Sequence, residues 1–412
     1  MLPILSSSDT RALDTIFDRR PSQDAAVRRT VAAIVAAVRK GGDAALRRYS
    51  KKFDGLDGAF EVTAAEMREQ ARRVPPGVRR ALKTAAANIR RVAARQRPLS
   101  IRIAVAPGLT VTERVLPLDK VGCYVPAGRY PLPSTLLMTA IPARAAGVGE
   151  VIVACPRPDA VVMAAALEAG ATRMFRIGGA QAVAALAYGT ESVPRVDKIV
   201  GPGNRFVAAA KDLVSADCAI DFHAGPSEVV IVSDTIPPEW VAADLLAQAE
   251  HDPDARAVLI TTRRRYAEQV AREVANNLPA TGPAAAALFE HGAIVVAASR
   301  QEALALVNRF APEHVLCDDL ETAGAITRAG TIFVGGSTVP AAGDYATGSN
   351  HVLPTAGAAR FRGGLSTSDF VRVTAIQQLR PAALTRLAPT VISLARAEGL
   401  EAHARSVEAR RR

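Results

Sequence analysis

The chain has 412 residues, of which 49% are hydrophobic and 22% charged, the composition of an ordinary globular protein whose length favours two substantial domains. Its formal net charge is +11, so a nucleic-acid partner has to be weighed. However, the basic residues are dispersed along predicted amphipathic helices, with no zinc-finger spacing or aromatic RNA-binding motif. We therefore expect no nucleic-acid partner, and we interpret the basic surface as one that attracts anionic substrates or cofactors.

Cysteine usage and hydropathy indicate a cytoplasmic protein. The four cysteines are well separated and form no CxxC pair, as is usual for small buried residues in a reducing compartment (Cys123, Cys155, Cys218 and Cys317). The N-terminus has no basic-then-apolar signal segment, and no charge-free apolar run approaches the ~18 residues that span a membrane. We expect no membrane partner.

Residues 1–120 are predicted to form a helical N-terminal region. Apolar residues recur at helical spacing over Asp24–Lys40, where the pattern ends at Gly41-Gly42, and again over Pro76–Arg95. We expect the later part of this region to pack with the second of the two units described next.

From about residue 121, short β-branched runs alternate with helical segments, a pattern that predicts parallel sheets covered by helices. The first set of predicted strands is Lys120–Val125, Glu150–Ala154, Arg173–Ile177 and Lys198–Val200, and the second is Ser227–Val232, Ala257–Thr261, Ala293–Val296 and Thr331–Val334. The fold class is therefore α/β, with two parallel-sheet units at 121–226 and 227–365 and a helical tail at 366–412. Both units are Rossmann-like but incomplete, since GxGxxG is absent. We expect ligands in the crevice between them, at the C-terminal ends of the strands.

The stretch 310–355 concentrates residues that can carry acid–base chemistry. Glu313 and His314 are adjacent, and Asp344 and His351 bracket a loop rich in Gly, Ser and Thr. Histidine titrates near neutrality, where a general base works best. Neighbouring side chains converge only where the backbone turns, and Pro312 makes such a turn plausible. The alternative is a structural Glu–His pair beside a solvated loop.

A metal site is suggested at the end of another predicted helix. Gln248 and His251 are three residues apart, so they share a helical face and could bind one ion together. A carboxylate and another imidazole would complete a site suited to zinc, and Asp344 and His403 are available. On these residues alone, a pair of surface polar side chains is the more common interpretation.

Two glycine turns connect predicted strands to helices, at Gly178-Gly179 and at Gly201-Pro202-Gly203. Such a turn places free backbone N–H groups and a helix dipole where a phosphate can bind. Without GxGxxG, these turns are weak signals of a nucleotide. The proline-rich loop within Val121–Thr135 is either a rigid corner or a wall that faces a cofactor.

Taken together, these motifs closely resemble the histidinol dehydrogenase family over nearly the whole length. The resemblance is carried by the Val121–Thr135 loop, Ala187–Thr190, Val196–Asn204, Ala224–Val229, Ala247–His251, Ala311–His314 and Gly343–Thr355. It implies oxidation of L-histidinol to L-histidine through the aldehyde, the last steps of histidine biosynthesis, with two NAD per turnover and one Zn²⁺ per subunit. It also implies a homodimer in which the helical tail reaches the partner subunit's site.

The same resemblance assigns roles to individual residues. The zinc ligands would be Gln248, His251, Asp344 and His403. The acid–base pair would be Glu313 and His314, and NAD would contact Tyr124, Gln181 and Asn204. The residues that contact the substrate would be Ser227, Gln248, His251, His314, Asp344, His351, Glu398 and His403, with Glu398 and His403 serving the other subunit's pocket.

Three other interpretations compete with this one. A relative with the same fold, zinc and NAD could oxidise another small alcohol, such as a sulfonated diol, although Glu398 and His403 argue against it. A zinc hydrolase could use Glu313 to activate water, which would leave the cofactor residues without a purpose. A basic nucleic-acid-binding protein would show salt-dependent binding to DNA without turnover.

Overall fold

The protein is described from a computed structural model, which covers residues 2–17, 19, 25–126, 132–222 and 225–410. Residues 127–131 of the proline-rich loop, His223 and the start of the predicted helix at Asp24 therefore lie outside the described residues. The strands are β1 (Ile4–Ser6), β2 (Glu61–Val62), β3 (Ile101–Ala106), β4 (Leu109–Pro117), β5 (Lys120–Tyr124), β6 (Glu150–Ala154), β7 (Arg173–Phe175), β8 (Lys198–Val200), β9 (Ala219–Ile220), β10 (Glu228–Val232), β11 (Arg256–Thr261), β12 (Ala293–Val296), β13 (His314–Cys317), β14 (Thr331–Val334) and β15 (Val371–Leu379).

The α-helices alternate with most of these strands. They are α1 (Thr10–Phe17), α2 (Ala25–Asp54), α3 (Ala64–Arg73), α4 (Pro76–Gln96), α5 (Pro133–Ala146), α6 (Ala160–Ala169), α7 (Gly179–Tyr188), α8 (Arg205–Val214), α9 (Pro238–Ala249), α10 (Arg264–Asn277), α11 (Ala284–His291), α12 (Arg300–Phe310), α13 (Leu320–Ala325), α14 (Pro340–Tyr345), α15 (Pro381–Ala397) and α16 (Glu401–Glu408). Among the described residues, no helix is long and apolar enough to cross a membrane.

The first α/β unit is built on a six-stranded sheet with the order β2-β7-β6-β5-β8-β9. All neighbouring strands are parallel except β2, which pairs antiparallel with β7. Strands such as β6 are apolar and buried, as expected for a parallel sheet with helices on both faces. Helix α6 shows how the sequence sets the ends of a helix. The Asp159 carboxylate accepts from the Val162 amide at its start, and Gly170 ends the helix with a φ of 75°.

The second unit contains a fully parallel sheet with the order β1-β12-β11-β10-β13-β14. Disregarding the edge strands β2 and β1, both units arrange five successive strands in the spatial order 3-2-1-4-5. Apolar cores cover both faces of each sheet. The predicted α/β class with two parallel sheets is confirmed.

The N-terminal region packs differently from the prediction. Its first strand, β1, pairs with β12 and so belongs to the second unit. The later helices pack mainly on the first unit, with α2 against α7 and α8, α3 against α6, and α4 against α5 and α6. Of these helices, α4 also touches the second unit's 346–348 segment, where the Asn88 side chain donates to the Ala346 carbonyl at 2.8 Å. The later part therefore packs mainly on the first unit, because the apolar faces of α2–α4 are buried in the first unit's core.

The Gly41-Gly42 pair interrupts the helix, as predicted, and a second helical segment follows it directly. Helix α2 continues to Asp54 and is kinked at Gly42, whose φ of 50° and ψ of −136° are accessible to glycine. A Cβ at Gly42 would also lie 2.5 Å from the Glu191 carboxylate, which accepts a hydrogen bond from the Asp43 amide. The two glycines therefore bend the helix around a contact with the first unit.

A third sheet was not predicted. Strands β15, β4 and β3 form an antiparallel sheet whose outer strand β3 is exposed along its whole length. Several of its apolar side chains are exposed, among them Ile101, Val105, Val373 and Ile376. The predicted helical tail is confirmed from Pro381 onward, as α15 and α16. The part of the tail before Pro381 contains strand β15 instead.

The two main sheets meet end to end at one pocket. Pro202 and Asp221 follow strands β8 and β9 of the first sheet, whereas Ser227 and His314 stand at the start of strands β10 and β13 of the second. All four line the same pocket. The carboxyl ends of strands in the first sheet therefore face the amino ends of strands in the second. The ligand crevice was expected at the carboxyl ends of the strands, which is right for the first sheet and wrong for the second.

Candidate active site

The adjacent pair Glu313-His314 stands where the chain turns from α12 into β13. Helix α12 ends at Phe310, and Ala311 adopts a left-handed conformation with a φ of 50° before Pro312. This reversal lets neighbouring side chains converge, with the Glu313 Oε2 and His314 Nδ1 atoms 3.7 Å apart. Both side chains are nearly fully buried.

Glu313 is held by two donors from the start of β10. Its Oε2 accepts from the Ser227 hydroxyl at 2.6 Å and from the Glu228 amide at 2.8 Å. Burial is the largest influence and raises the pKa of Glu313, although these donors and His314 act in the opposite direction. A carboxyl group with a raised pKa is a stronger base than an ordinary one and is better suited to accept a proton near neutral pH.

His314 is oriented by contacts at both ring nitrogens. Its Nδ1 lies 3.3 Å from the Glu228 carbonyl, which can only accept, so this nitrogen carries the hydrogen. The other nitrogen, Nε2, lies 3.6 Å from the Asp344 Oδ1 atom. Burial alone would lower the pKa of His314, but Glu313, Asp344 and the Glu228 carbonyl outweigh it and raise the pKa to about 9.

Asp344 stands on the short helix α14 and is fixed in place by His351. The His351 Nδ1 donates to the Asp344 carbonyl at 2.7 Å, and its Nε2 lies 3.4 Å from the Thr135 hydroxyl of the first unit. Burial lowers the pKa of His351. For the Asp344 carboxyl, burial is opposed by hydrogen bonding and charge from His314, and its pKa is lowered. At neutral pH the pocket therefore contains the Asp344 carboxylate beside a protonated His314 and a neutral His351.

Gln248 and His251 stand at the end of α9, but Gln248 is not among the residues that line the pocket with Asp344. Gln248 is buried, and its amide nitrogen has no hydrogen-bond partner among the described residues. Because the nitrogen and oxygen of an amide are exchangeable in assignment, this is a buried amide head whose polar atom is left for another ligand. His251 lines the same pocket as Asp344 and is near enough for its charge to lower the carboxyl pKa.

The described residues contain no group of three or more His, Cys, Asp or Glu side chains in metal-binding arrangement. Of the four expected zinc ligands, three belong to those residue types, and two of the three, His251 and Asp344, meet here. Gln248 is buried and does not line the pocket, and His403 is on the tail. Of the expected four, the pocket therefore holds one imidazole and one carboxylate, donors of the kind that zinc takes.

A pocket of about 210 Å³ lies between the units. Of the expected catalytic and substrate residues, it brings together Ser227, His251, Glu313, His314, Asp344 and His351. The other lining residues are Leu132, Ser134, Thr135, Pro202, Asp221, Phe222, Gly225, Tyr345, Val352, Leu353 and Thr355. One small polar molecule fits a space of this size and lining.

The expected cofactor residues form a neighbouring cluster at the carboxyl edge of the first sheet. Tyr124 ends β5, and its hydroxyl accepts from the Gly179 amide at 3.0 Å, at the start of α7. Gln181 is buried in α7 and donates to the Asp54 carboxylate at 3.0 Å. Asn204 is exposed and caps α8 by accepting from the amides of the second and third residues after it. None of the expected three lines the pocket itself.

The turn that begins with Gly201 connects this cluster to the pocket. Gly201 has a φ of 111°, and a Cβ there would lie 2.1 Å from the Tyr124 carbonyl oxygen, so only glycine fits. Its amide donates to the Asp221 carboxylate at 2.7 Å, and its carbonyl accepts from the Lys211 ammonium at 3.0 Å. Lys211 and Asp221 are themselves a buried ion pair. Both peptide groups of the turn are therefore fixed, one residue before Pro202 enters the pocket.

Comparisons with known proteins agree with this architecture. The family model of histidinol dehydrogenase matches residues 17–411. The chain belongs to the histidinol dehydrogenase family. It is 45% identical to the histidinol dehydrogenase of Methanothermobacter thermautotrophicus, with 100% of both chains covered. It is 46% identical to that of Caulobacter vibrioides, with 97% of this chain and 96% of the relative covered.

A solved structure supports the same assignment. The crystal structure of histidinol dehydrogenase from Elizabethkingia anophelis superposes with a TM-score of 0.93 at 32% identity, covering 99% of this chain and 98% of that one. This member of the histidinol dehydrogenase family is therefore an oxidoreductase with the family's fold, and the pocket between its sheets is its candidate active site.

Three of the residues expected in this pocket do not line it in the single chain, namely Gln248, which is buried near the end of α9, Glu398 and His403. Glu398 caps the end of α15 and His403 is on α16, and both are exposed. Neither lines the pocket. The sequence analysis assigned both to the partner subunit's site, an assignment that stays a prediction.

Sequence reasoning missed several residues that support the site of this family member. Glu228, Asp221 and Lys211 received no role, although all are buried and charged. A signal existed for Glu228, because it is the one charged residue of an otherwise apolar strand, Glu-Val-Val-Ile-Val. Arg19 and Lys211 gave no comparable signal, since each is one cation among many on helical or irregular segments.

Proposed function

We propose that this enzyme oxidises L-histidinol to L-histidine through L-histidinal, in a four-electron reaction that uses two NAD and one zinc ion, at the end of histidine biosynthesis. The observation that carries the proposal is the convergence of Glu313, His314, His251 and Asp344 in one pocket of a histidinol dehydrogenase family member. An acid–base pair beside a partial metal site is what oxidation of an amino alcohol requires.

Zinc would be held by Gln248, His251 and Asp344 of one chain and by the partner subunit's His403. Support comes from the unpartnered amide of buried Gln248 and from the Asp344 carboxylate, whose lowered pKa keeps it ionised as a metal ligand must be. NAD would contact Tyr124, Gln181 and Asn204 at the adjacent carboxyl edge of the first sheet.

When bound, zinc would acidify the substrate hydroxyl as a Lewis acid, and NAD would accept the hydrides. The remaining work belongs to the side chains. His314 would accept the hydroxyl proton at Nε2, the ring nitrogen that faces Asp344, while its Nδ1 stays bound to the Glu228 carbonyl. Asp344 contributes to the raised pKa of His314. A cation bound to Asp344 would weaken this contribution. The pKa of His314 would then lie closer to neutral pH, where a general base works best.

Glu313 would act in the second half of the reaction. The aldehyde must add water before it can lose a second hydride, and a buried carboxylate with a raised pKa can take a proton from that water. The Ser227 hydroxyl donates to the Oε2 atom of Glu313 at 2.6 Å, which leaves the Oε1 atom for this task. His314 would again accept the hydroxyl proton as the acid forms.

The substrate would be held by Ser227, Gln248, His251, His314, Asp344 and His351 of one chain and by the partner subunit's Glu398 and His403. A homodimer with exchanged tails is proposed on two grounds. The β15-β4-β3 sheet exposes apolar side chains next to the tail helices, and patches of this kind mark interaction surfaces. The pocket also lacks the two tail residues unless another subunit provides them.

The test follows NADH formation from L-histidinol by the purified enzyme, with a sulfonated diol as the competing substrate. We expect two NADH per histidinol consumed, histidine as the product, loss of activity on chelation and recovery with zinc. One NADH per substrate would contradict the four-electron course. Turnover of the diol but not of histidinol would replace the substrate assignment, and full activity after verified metal removal would exclude the zinc proposal.

A further inference from the structure

We propose that Glu228 and Arg19 are positioning residues that hold the pair Glu313 and His314 in register, an inference that rests on the proposed function. Arg19 belongs to the N-terminal segment, more than two hundred residues away in sequence from the residue it contacts. Neither residue lines the pocket. Their effect would pass through the backbone and side chains that they fix.

The backbone of Glu228 contacts both catalytic side chains at once. Its amide donates to the Glu313 Oε2 atom at 2.8 Å, and its carbonyl accepts from the His314 Nδ1 atom at 3.3 Å. One residue therefore sets the position of the carboxylate and the hydrogen-bearing nitrogen of the imidazole. A shift of this single residue would move both groups relative to the substrate.

The side chain of Glu228 is anchored at both oxygens. Oε2 accepts from the Arg19 guanidinium at 2.6 Å, and Oε1 accepts from the Ala356 amide at 3.1 Å. Ala356 has a positive φ of 53° and follows Thr355, which lines the pocket and accepts from the Gly225 amide. The carboxylate thus connects strand β10 to a wall of the active site.

Arg19 links this carboxylate to the segment that carries Glu313. Its guanidinium lies 3.8 Å from the centre of the Phe310 ring and also donates to the Phe310 carbonyl. Phe310 is the last residue of α12, three residues before Glu313. One cation therefore joins the start of β10 to the turn before β13, the two segments that carry the catalytic contacts.

The charges support the same role. Glu228 and Glu313 are both buried, and the charge of Glu313 makes the ionised form of Glu228 less favourable. Burial is the largest influence on Glu228 and raises its pKa to about 7, against the attraction of Arg19. The Arg19 side chain is 5% exposed and provides the neighbouring positive charge. Without Arg19, the buried carboxylates of Glu228 and Glu313 would lie near each other without this positive charge.

The experiment compares variants in the zinc-loaded full-length enzyme. Arg19→Met removes the cation, Arg19→Lys keeps the charge but not the fork, and Arg19→Met with Glu228→Gln leaves no buried charge unpaired. The matched control is Asp14→Asn, which removes the ion pair between α1 and Arg309 on α12 without touching Glu228. For each we measure kcat, the KM for histidinol and for NAD, zinc bound per subunit and the melting temperature.

We expect Arg19→Met and the double variant to lose kcat by about ten- to hundredfold, because displacement of catalytic groups by a fraction of an ångström to 1 Å has effects of that size. Both KM values and the zinc content should stay within twofold, and Arg19→Lys should recover part of the loss. Asp14→Asn should keep the wild-type kcat.

Two results would overturn the inference. One is a folded double variant with wild-type kcat, which would show that Arg19 and Glu228 serve stability alone. The other is an equal fall in kcat for Asp14→Asn, which would assign the effect to general docking of the N-terminal segment. A wild-type enzyme that fails to oxidise histidinol would instead refute the proposed function itself, and the inference with it.

Discussion

The two parallel sheets share a strand order but contribute to the active site in opposite ways. The first uses its carboxyl edge, where Gly201 and Gly178 open turns after β8 and β7, as parallel nucleotide-binding sheets commonly do. The second uses its amino edge, where Ser227 precedes β10 and Glu313 precedes β13. Glycine turns occupy one side of the crevice, and acid–base side chains occupy the other.

The carboxyl edge of the second sheet shows why that unit is different. There the Asp234 carboxylate accepts from Thr261 and Thr262, while the Asp318 carboxylate accepts from the Ser233 hydroxyl at 2.6 Å and the Asp234 amide at 3.0 Å. These groups satisfy one another. The comparison teaches that a shared topology does not determine which end binds ligands, because the side chains that the sequence places at each end decide its chemistry.

The largest effect is expected on the second sheet's amino edge. His314→Ala should lower kcat for histidinol by about 10²- to 10⁴-fold, because general-base catalysis contributes on that scale. The KM for NAD should change little, since the cofactor cluster is on the other sheet. Steady-state kinetics with each substrate varied would check this. A rise in the KM for NAD as large as the fall in kcat would mean that the two edges do not divide the work as described.

Glu313→Gln should separate the two half-reactions. Oxidation of the alcohol should be spared, whereas oxidation of added L-histidinal should fall about a hundredfold, because hydration of the aldehyde loses its base. Gln keeps an oxygen that can accept from Ser227 and Glu228, so the position of the side chain is preserved. Single-turnover NADH formation from each substrate provides the measurement. Equal loss in both would show that Glu313 does not act specifically on water.

On the first sheet, Asp221→Asn should weaken NAD rather than slow the chemistry. The change removes the charge that pairs with Lys211 and weakens the hold on Gly201, at the turn between the cofactor cluster and the pocket. We expect the KM for NAD to rise about tenfold, the equivalent of ~1.4 kcal/mol, with kcat reduced much less. The matched control is Glu150→Gln, which breaks an exposed ion pair with Lys120 on the same sheet. If NAD bound normally to a folded Asp221→Asn enzyme, the turn would not depend on this ion pair.

Much of the fold could be predicted because local patterns are strong where strands are fully buried. Runs such as Glu150–Ala154 and Ala293–Val296 are apolar and bounded by turns, and both are strands in the structure. Strand β3 was missed because its alternating positions are all exposed in one chain, so no hydrophobic pattern distinguishes it. The break at Gly42 was predictable because glycine is a usual helix stop signal, whereas the helical segment that follows it to Asp54 was not predicted.

The candidate site divides in the same way. Glu313, His314, Asp344 and His351 were predictable because their chemistry is evident in short segments, and they do meet in one pocket. The contacts that hold them were not predictable. Arg19 reaches Glu228 across 209 positions in the sequence, a pairing that depends on how β1 and α1 dock on the second sheet.

The smallest effect on activity is expected at the unused carboxyl edge of the second sheet. Burial alone would raise the pKa of Asp234, but hydrogen bonds from Thr261 and Thr262 outweigh it and lower the pKa below its usual value. A carboxyl group whose folded-state pKa is depressed stabilises the protein above its unfolded pKa of about 4, and this stability is lost as pH falls through the folded value. Asp234→Asn should therefore lower the free energy of unfolding by about 1–3 kcal/mol at pH 7.

The stability difference between wild type and Asp234→Asn should shrink below about pH 4, as the wild-type carboxylate takes up its proton. Urea unfolding at pH 7 and at pH 3.5 measures both values, and kcat with both KM values should match wild type in the folded variant. A selective loss of activity would show that this edge also serves the reaction. Unchanged kinetics with reduced stability would confirm that the second sheet keeps one end for structure and the other for chemistry, because Asp234 and Glu313 both accept from protein donors but, of the two, Glu313 lines the pocket.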